Sequence, residues 1–472
     1  MSNIFRAYDV RGVYPDELNE EIAGKIAAAA VKFLNAKKLV VGEDARISSP
    51  TIRDKVLRGI VAAGCDVHYI GRCTTPLFYF SVNNLDVDGG IMITASHNPP
   101  EYNGLKIVGK KSKPISGDSG LKEIEKLIEI KPIKPRGPLA FTGKLSGLRK
   151  SIGLAKSLIK EISLNKEYVD FLLSESKDIP DNGKDLKIVI DASNGMTPLV
   201  LNELLPRTKL NVSPLYFQID GTFPNHLSDT SREENLKDLK DKVIAEKTDV
   251  GIAFDGDGDR MAVVDEKGNI VRADIVAGLI YKHFYDGDRV VYDSRFSRAV
   301  RDIFGASGIA TRTGHSFGKT AMKQNDAAFG GELSGHFFFK EMLYADAAIL
   351  AMLRLVEMLA TENKPLSQLV APLLIYANSG EINIPLPITN QYEYTNLQIK
   401  ILEMLKNKYR DGKQSFLDGI TVEYWDPDAP VGTGWWFNVR FSNTEPIVRV
   451  VVEADTQELM EEKVKEITQL LQ

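Results

Sequence analysis

Residues 39–70 read LVVGEDARISSPTIRDKVLRGIVAAGCDVHYI, and the architecture of the chain follows from them. Leu39-Val40-Val41-Gly42 and Val67-His68-Tyr69-Ile70 are short, β-rich runs bounded by breakers, so both predict strands, while Ile52, Val56 and Ile60 between them recur at helical spacing. A strand, a helix and a strand in this order make neighbours in a parallel sheet with the helix packed on its face. The pattern extends in both directions. Leu18, Ile22, Ile26, Ala30 and Phe33 predict a helix that leads into the first of these strands; Leu77 to Leu85 predict another, followed by the strand Gly90-Ile91-Met92-Ile93-Thr94.

The same alternation resumes twice. A second α/β unit begins at Lys187-Ile188-Val189-Ile190-Asp191 and runs through a helix at Leu236, Leu239 and Val243 to Val250-Gly251-Ile252-Ala253-Phe254. A third runs from a helix near Ile275 through Val290-Val291-Tyr292 to the apolar helix Ala347 to Leu359. The last hundred residues change character: Glu381 to Ile384 and the segments after Gly419, Gly434 and Glu445 alternate as antiparallel strands do, with two amphipathic helices among them. In the final helix Met460, Val464, Ile467 and Leu471 share a face, and Asp455 with Glu458 fits a capping box. Residues 131–160, with several Pro and Gly, many Lys and Arg and no acid, read as a linker. The expected class is α/β: three related α/β domains with mixed, mostly parallel sheets, over residues 1–165, 166–270 and 271–370, then an α+β domain with an antiparallel sheet over 371–472. No repeat of fixed period underlies them.

A chain of 472 residues outgrows a single core, and 43% hydrophobic with 26% charged residues is the composition of a globular protein. A net charge of −5 over this length gives no global reason to expect nucleic acid or an anionic membrane as partner. Cys65 and Cys73 are too few for a disulfide framework and read as packing residues in a reducing compartment. The start MSNIFRAYDVRG lacks a signal-peptide apolar run and no stretch is long enough to span a bilayer, so a cytoplasmic protein is expected.

Four loops concentrate reactive residues. Thr94-Ala95-Ser96-His97-Asn98-Pro99 follows a strand, where open α/β sheets present ligands, and Asn98-Pro99 holds the preceding backbone out of helix so that the Ser96 hydroxyl can project beside His97 and the downstream Lys106. A plain turn with local hydrogen bonds is the alternative reading. Asp255-Gly256-Asp257-Gly258-Asp259-Arg260 places three carboxylates at alternate positions, with glycines that let the backbone fold round one hard cation; Mg²⁺ fits if phosphate oxygens and water complete its shell. Glu266 falls at the twelfth position of an EF-hand, but Arg260 stands where that loop needs Gly, and a strand precedes where a helix is required. In Gly330-Gly331-Glu332-Leu333-Ser334-Gly335-His336, the alternating Glu332, Ser334 and His336 would face one side of an extended segment and grip vicinal hydroxyls, or serve as structural hydrogen-bonding partners. Arg440-Phe441-Ser442-Asn443-Thr444-Glu445-Pro446 can cradle a dianion or form a polar hairpin turn.

Taken together and in order, FRAYDVRG, TASHNP, DGDGDR, TGHS, GELSGH and RFSNTEP resemble the α-D-phosphohexomutases, most closely the bacterial phosphomannomutase/phosphoglucomutase branch, over almost the whole chain. That resemblance implies three α/β domains and a fourth α+β domain around a central active-site cleft. It implies phosphorylation of Ser96, with Asp255, Asp257 and Asp259 holding one Mg²⁺ per subunit together with an oxygen of that phosphate. Tyr8, Arg11, His97, Lys106, Arg260 and His315 would line the reaction centre, Glu332, Ser334 and His336 would contact sugar hydroxyls, and Arg440, Ser442, Asn443 and Thr444 would hold the phosphate not being transferred.

The implied activity interconverts hexose 1-phosphate and hexose 6-phosphate, of mannose or glucose, through a hexose 1,6-bisphosphate that also serves as activator. Small sugar phosphates are then the partners, with no nucleic acid or membrane, in a monomer or homodimer. Leu333, where Met is common in the mannose/glucose branch and Gln in glucosamine mutases, favours a plain hexose. In Asp293-Ser294-Arg295 an Arg stands where Lys is expected, and its role is open. A phosphoglucosamine mutase, a Mg²⁺-dependent sugar-phosphate phosphatase and a non-catalytic sugar-phosphate binder are the competing readings.

Overall fold

The computed structural model describes residues 4–130, 158–176, 186–386, 391–425, 432–442 and 446–471. It divides into two compact units, one of residues 1–273 with 334–366 and the other of 274–333 with 367–472.

In the first unit the stretch around residues 39–70 folds as expected. Strands β1 (Val10–Val13), β2 (Lys38–Glu43), β3 (Asp66–Arg72), β4 (Gly89–Ile93), β5 (Tyr102–Gly109) and β6 (Ile159–Glu161) form one sheet in the order β1-β5-β4-β2-β3-β6. The pairs β2–β3, β2–β4 and β3–β6 are parallel, whereas β5 runs antiparallel to both β4 and β1. The sheet is therefore mixed. Periodicity did not reveal β5 because Asn103, Gly104 and Lys106 interrupt the apolar alternation inside a strand that is buried on both faces. The tail of the expected linker, Ile159–Glu161, is the edge strand β6; residues 131–157 lie outside those described.

Helix α1 (Glu20–Leu34) starts where the Asn19 side chain accepts the Ile22 N–H at 3.0 Å, with Glu20 and Glu21 in its first turn, and ends at Asn35 in the left-handed region. Its buried face carries Ala23, Ile26, Ala27 and Ala30, small enough for α2 (Ser49–Ala62) to pack closely. A Cβ at Gly59 would lie 2.2 Å from the Gly24 carbonyl oxygen, so this crossing needs glycine. Leu39, Val41, Ile52, Val56, Ile60, Val67, Ile91 and Leu105 complete the core between helices and sheet.

The second sheet of this unit has the order β11-β10-β9-β7-β8, from β7 (Lys187–Asp191), β8 (Asn211–Leu215), β9 (Val250–Phe254), β10 (Met261–Asp265) and β11 (Ile270–Val271). Here two parallel pairs, β7–β8 and β7–β9, meet two antiparallel ones, β9–β10 and β10–β11. The two α/β layers thus repeat one plan: a buried parallel strand turns back as an antiparallel neighbour, and the connection carries the reactive residues.

In the second unit β12 (Val290–Asp293) lies between β13 (Gly308–Thr311) and β14 (Phe329–Gly331), parallel to both. The first unit then receives the antiparallel pair β15 (Phe337–Phe339) and β16 (Ala345–Asp346) and the helix Ala348–Glu362, apolar nearly all round and accordingly buried. The chain ends in the second unit with an antiparallel sheet ordered β17-β22-β21-β20-β19, from β17 (Ala377–Asn378), β18 (Ile382–Pro385), β19 (Lys413–Ser415), β20 (Ile420–Glu423), β21 (Trp435–Phe441) and β22 (Ile447–Ala454), with β18 also on β22. The helices Gln391–Lys408 and Gln457–Leu471 supply Leu405, Met460, Ile467 and Leu471 to its core.

The expected capping box of the last helix is not formed. Thr456 Oγ1 accepts the Leu459 N–H at 3.2 Å, while the Asp455 carboxylate accepts from Gly432 and Gly434 and closes the preceding turn. Cys65 and Cys73 are buried thiols, and among the described residues no helix is long and apolar enough to cross a membrane.

Candidate active site

Ser96 sits on the connection from β4 to β5, with a backbone φ of +51°, a conformation that costs a non-glycine residue free energy and persists only where surroundings impose it. The surroundings are specific. Thr94 Oγ1 accepts the Ser96 N–H at 2.9 Å, and the buried guanidinium of Arg46 donates to four carbonyls of the loop: Ser96 at 2.7 Å, Asn98 and Pro99 at 2.6 Å, and Tyr102 at 3.1 Å. Asp44 balances Arg46 at 3.1 Å, and Arg11 ties down the Asn98 side chain at 2.6 Å. Asn98 does its work as an anchor for the turn. Arg46 was not singled out by the sequence, since a side chain whose partners are backbone carbonyls leaves no spacing pattern.

The loop Asp255 to Arg260 connects β9 to β10 and closes on itself: Asp255 Oδ1 accepts the backbone N–H groups of Asp259 and Arg260, each at 3.1 Å. Gly256 lies against the first loop; a Cβ there would fall 2.7 Å from the Ser96 carbonyl oxygen and 2.8 Å from Ser228 Oγ. The two loops are thus in direct contact within one unit. The Ser96 hydroxyl donates to Asp255 Oδ2 at 2.7 Å and lies 3.2 Å from His97 Nδ1. Thr75 donates to Asp257 through both its hydroxyl, at 2.6 Å, and its backbone N–H, at 2.8 Å.

Asp255, Asp257 and Asp259 are fully buried, and one oxygen from each lies within 4.8 Å of the others. Lys106, on β5, pairs with Asp259 and lies 3.2 Å from Asp257, which balances part of this charge. Asp257 Oδ1 and Asp259 Oδ1 accept no hydrogen bond among the described residues, although both are buried. Orphaned buried carboxylate oxygens are costly, and a hard cation with oxygen ligands satisfies them. The donor set fits Mg²⁺.

Charge sharing separates the protonation states. Burial, then Asp259 and Asp257, push the Asp255 carboxyl well above its ordinary value. Burial acts in the same sense on Asp259, but Lys106, with His336 and Arg260 behind it, outweighs burial and holds that carboxyl well below. Lys106 is disfavoured as a cation by burial, yet Asp257 and Asp259 overcome that and hold it firmly protonated. Burial, then Arg260 and Arg11, hold His97 well below the usual imidazole range, so it is a neutral acceptor at physiological pH.

The segment Glu332 to His336 is a turn, not the extended run expected, with Gly335 at φ +91°. The Gly335 carbonyl accepts the Met261 N–H at 3.0 Å, which sets His336 Nε2 at 3.4 Å from both Arg260 Nε and Asp259 Oδ1, while Ser334 Oγ meets His336 Nδ1 at 2.9 Å. His336 therefore belongs to the aspartate loop's surroundings. In the second unit Glu332 accepts the Gly314 N–H at the start of the helix His315–Asn325, so Glu332 and His315 are neighbours through that turn. Tyr8 lies in the bend before β1, next to the Asp9 that pairs with Arg11 at 2.8 Å.

Arg440, at the end of β21, is buried, and its Nη2 donates to Glu381 at 3.0 Å; Ser442 is buried beside it in sequence and its N–H donates to the Ile447 carbonyl at 3.0 Å. Asn443 and Thr444 lie outside the described residues. The structure thus gathers Ser96, His97, Lys106, Asp255, Asp257, Asp259, Arg260, Arg11 and His336 in the first unit, and Glu332 with His315 and Arg440 with Ser442 in the second. Glu381 was read only as the start of a strand, because a lone acid at a strand end has no periodic signature.

Four family models match the chain: phosphoglucomutase/phosphomannomutase α/β/α domain I over residues 2–132, domain II over 166–268, domain III over 272–375 and the C-terminal domain over 431–470. A phosphomannomutase of Methanocaldococcus jannaschii is 37% identical over 474 residues, covering 99% of this chain and 97% of its own length. A phosphomannomutase/phosphoglucomutase of Pseudomonas aeruginosa is 34% identical, covering 98% and 93%. Among solved structures, a phosphoglucomutase/phosphomannomutase family protein from Burkholderia thailandensis superposes with a TM-score of 0.83 at 29% identity, covering 99% of this chain and 96% of that one.

Proposed function

From the premise that this chain belongs to the phosphoglucomutase/phosphomannomutase family, and is by that kinship a hexose-phosphate mutase and an isomerase, we propose that Ser96 is the residue that carries the phosphoryl group between the two hydroxyls of the sugar. The single observation that supports this most is the 2.7 Å contact of Ser96 Oγ with Asp255, inside a loop whose other two aspartates each leave a buried oxygen without a hydrogen-bond donor. A serine hydroxyl held there, beside a candidate cation site, supports a role in phosphoryl transfer.

If bound, Mg²⁺ would be held by Asp255, Asp257 and Asp259 and would supply positive charge to offset that of a phosphoryl group on Ser96. The protein's own residues do the rest. A free hydroxyl of the hexose phosphate attacks phosphorus, the bond from phosphorus to Ser96 Oγ breaks, and a hexose 1,6-bisphosphate results. Arg260, Lys106 and Arg11 stabilise charge on the phosphoryl oxygens, because they are fixed in place before the reaction begins. His97, held neutral, accepts the proton of the attacking hydroxyl and returns it to Ser96 Oγ, 3.2 Å from its Nδ1, as that oxygen leaves phosphorus, whereas Lys106, held as an ammonium by two aspartates, serves as a charge.

The bisphosphate turns over and returns its other phosphate to Ser96, so each orientation needs a second anion site. Arg440 and Ser442, with Asn443 and Thr444, supply that site; Glu332, Ser334 and His336 contact sugar hydroxyls, and Tyr8 and His315 line the reaction centre. Mannose and glucose phosphates are the substrates this reading favours.

Intact-mass measurement before and after incubation with glucose 1,6-bisphosphate tests it. The chain gains one phosphate, mapped to the peptide containing residues 94–99, and the Ser96→Ala variant gains none and loses turnover by more than about 10³-fold. Full mutase turnover by that variant would remove Ser96 from the role. Steady release of inorganic phosphate from a hexose 1-phosphate, at a rate matching its consumption, would instead mark a phosphatase.

A further inference from the structure

Three guanidinium groups in the second unit converge on one carboxylate. Glu381 Oε2 accepts from Arg295 Nη1 at 2.5 Å and from Arg440 Nη2 at 3.0 Å, and its Oε1 accepts from Arg449 Nη1 at 3.1 Å. The grouping is built, since Arg295 and Arg440 are 4% and 5% exposed and such side chains are rarely buried without purpose. Arg295 turns its other edge to Asp293, with Nε 3.0 Å from Oδ1 and Nη2 2.7 Å from Oδ2. Asp293 Oδ2 in turn accepts the backbone N–H of Leu333 at 2.8 Å. A continuous series of charge-assisted hydrogen bonds therefore runs from Arg440, whose loop is assigned above to a phosphate, through Glu381, Arg295 and Asp293 to the turn that bears Glu332.

Two features separate the roles along this series. Arg295 is engaged through all three of its nitrogens, Nε and Nη2 donating to Asp293 and Nη1 to Glu381, so it has a reason to be Arg where Lys was expected, because an ammonium on a flexible stem cannot make that fork. Arg440, by contrast, gives Glu381 only Nη2, and its buried Nε has no hydrogen-bond partner among the described residues.

We propose that Glu381 is a positioning residue: it anchors one side of Arg440 so that the Nε edge is presented to the phosphate that is not being transferred, and through Arg295 and Asp293 it sets the Leu333 amide, so that phosphate and sugar contacts are aligned together. The proposal rests on the mutase reading only for the identity of the ligand. Its test separates the two. Inorganic phosphate, without divalent metal, is titrated calorimetrically into the full chain and into Glu381→Gln and Arg295→Lys, and KM and kcat for mannose 1-phosphate are measured on the same proteins.

Both variants are expected to weaken phosphate binding and raise KM by about 5- to 20-fold while kcat stays within about threefold, and the double variant should be no worse than the poorer single one, since both break the same series. Arg295→Lys keeps a cation beside Glu381 and so keeps the fold's charge balance if Glu381→Gln does not fold. Phosphate affinity and KM unchanged in a folded Arg295→Lys protein, additive losses in the double variant, or no phosphate binding by the unaltered chain would each overturn the proposal. An unaltered chain that binds phosphate but has no mutase turnover would sink the mutase reading and leave this one standing on the affinity series.

Discussion

At the scale of single residues the chemistry depends on Ser96 being held in a conformation it would not choose. A left-handed serine costs about 1 kcal/mol or more, and the compensation comes from Arg46, which spends both Nη groups on four loop carbonyls. Arg46 is therefore expected to matter as much as residues that touch substrate. Replacing it with Lys keeps the charge beside Asp44 but loses the planar array of donors, which should lower stability by about 2–4 kcal/mol and slow phosphorylation of Ser96 by more than tenfold. Thermal unfolding and the time course of phosphate incorporation by intact mass would show it; a variant that phosphorylates at the unaltered rate would mean that the loop holds its shape without that arginine.

The aspartates make a second prediction at this scale. Because Asp257 buries an oxygen without a hydrogen-bond donor and Asp259 buries one that faces His336 Nε2 at 3.4 Å, Mg²⁺ should raise the unfolding temperature of the unaltered protein, and chelation should abolish both that rise and turnover. Asp257→Asn removes one charged ligand while keeping an acceptor for Thr75, so it should show little or no shift at the same Mg²⁺ concentration. A shift equal to that of the unaltered chain would place the ion elsewhere.

At the scale of elements, both reactive loops join a buried parallel strand to an antiparallel neighbour, β4 to β5 and β9 to β10, and Gly256 is the point of contact between them. An added Cβ there collides with the Ser96 carbonyl, and neither backbone can yield without losing the hydrogen bonds that shape its loop. Gly256→Ala should consequently depress kcat by about tenfold or more and leave the β-sheet cores intact, with far-UV circular dichroism unchanged; normal kcat would show that the loops can separate without loss.

Legibility follows from the same features. The strands β2, β4, β7 and β9 were readable because their buried runs are largely apolar, and the loops were readable because Asp-Gly repeats have few structural uses and the motifs occur together and in order, whereas Ser-His-Asn-Pro alone reads equally as a plain turn. Strand β5 was not, since it carries the working Lys106 in place of an apolar residue. The turn at Gly335 was not either, because alternation of Glu332, Ser334 and His336 has the same appearance in an extended segment and in a turn whose shape is set by the distant Met261.

At the scale of the whole molecule, the two units can be observed separately, because all three tryptophans, Trp425, Trp435 and Trp436, lie in the second, together with Glu381. Burial alone would raise the Glu381 carboxyl, but Arg295, then Arg440 and Arg449, hold it at about 2 against an ordinary 4.5. A carboxylate held low in the folded state stabilises the fold fully above its unfolded value, near 4.5, and that contribution disappears as the pH falls from there toward about 2. The difference corresponds to about 3 kcal/mol at most, an upper figure because the Glu381 side chain is 21% exposed and screened to that extent. Glu381→Gln mimics the protonated side chain at every pH. Urea unfolding followed by tryptophan fluorescence should therefore find the variant about 2–3 kcal/mol less stable than the unaltered chain at pH 7, with the gap narrowing by about 2 kcal/mol on acidification to pH 3. A gap that stays constant from pH 7 to pH 3 would mean that the three arginines do not hold Glu381 ionised in the folded unit, and that their convergence on it contributes no free energy.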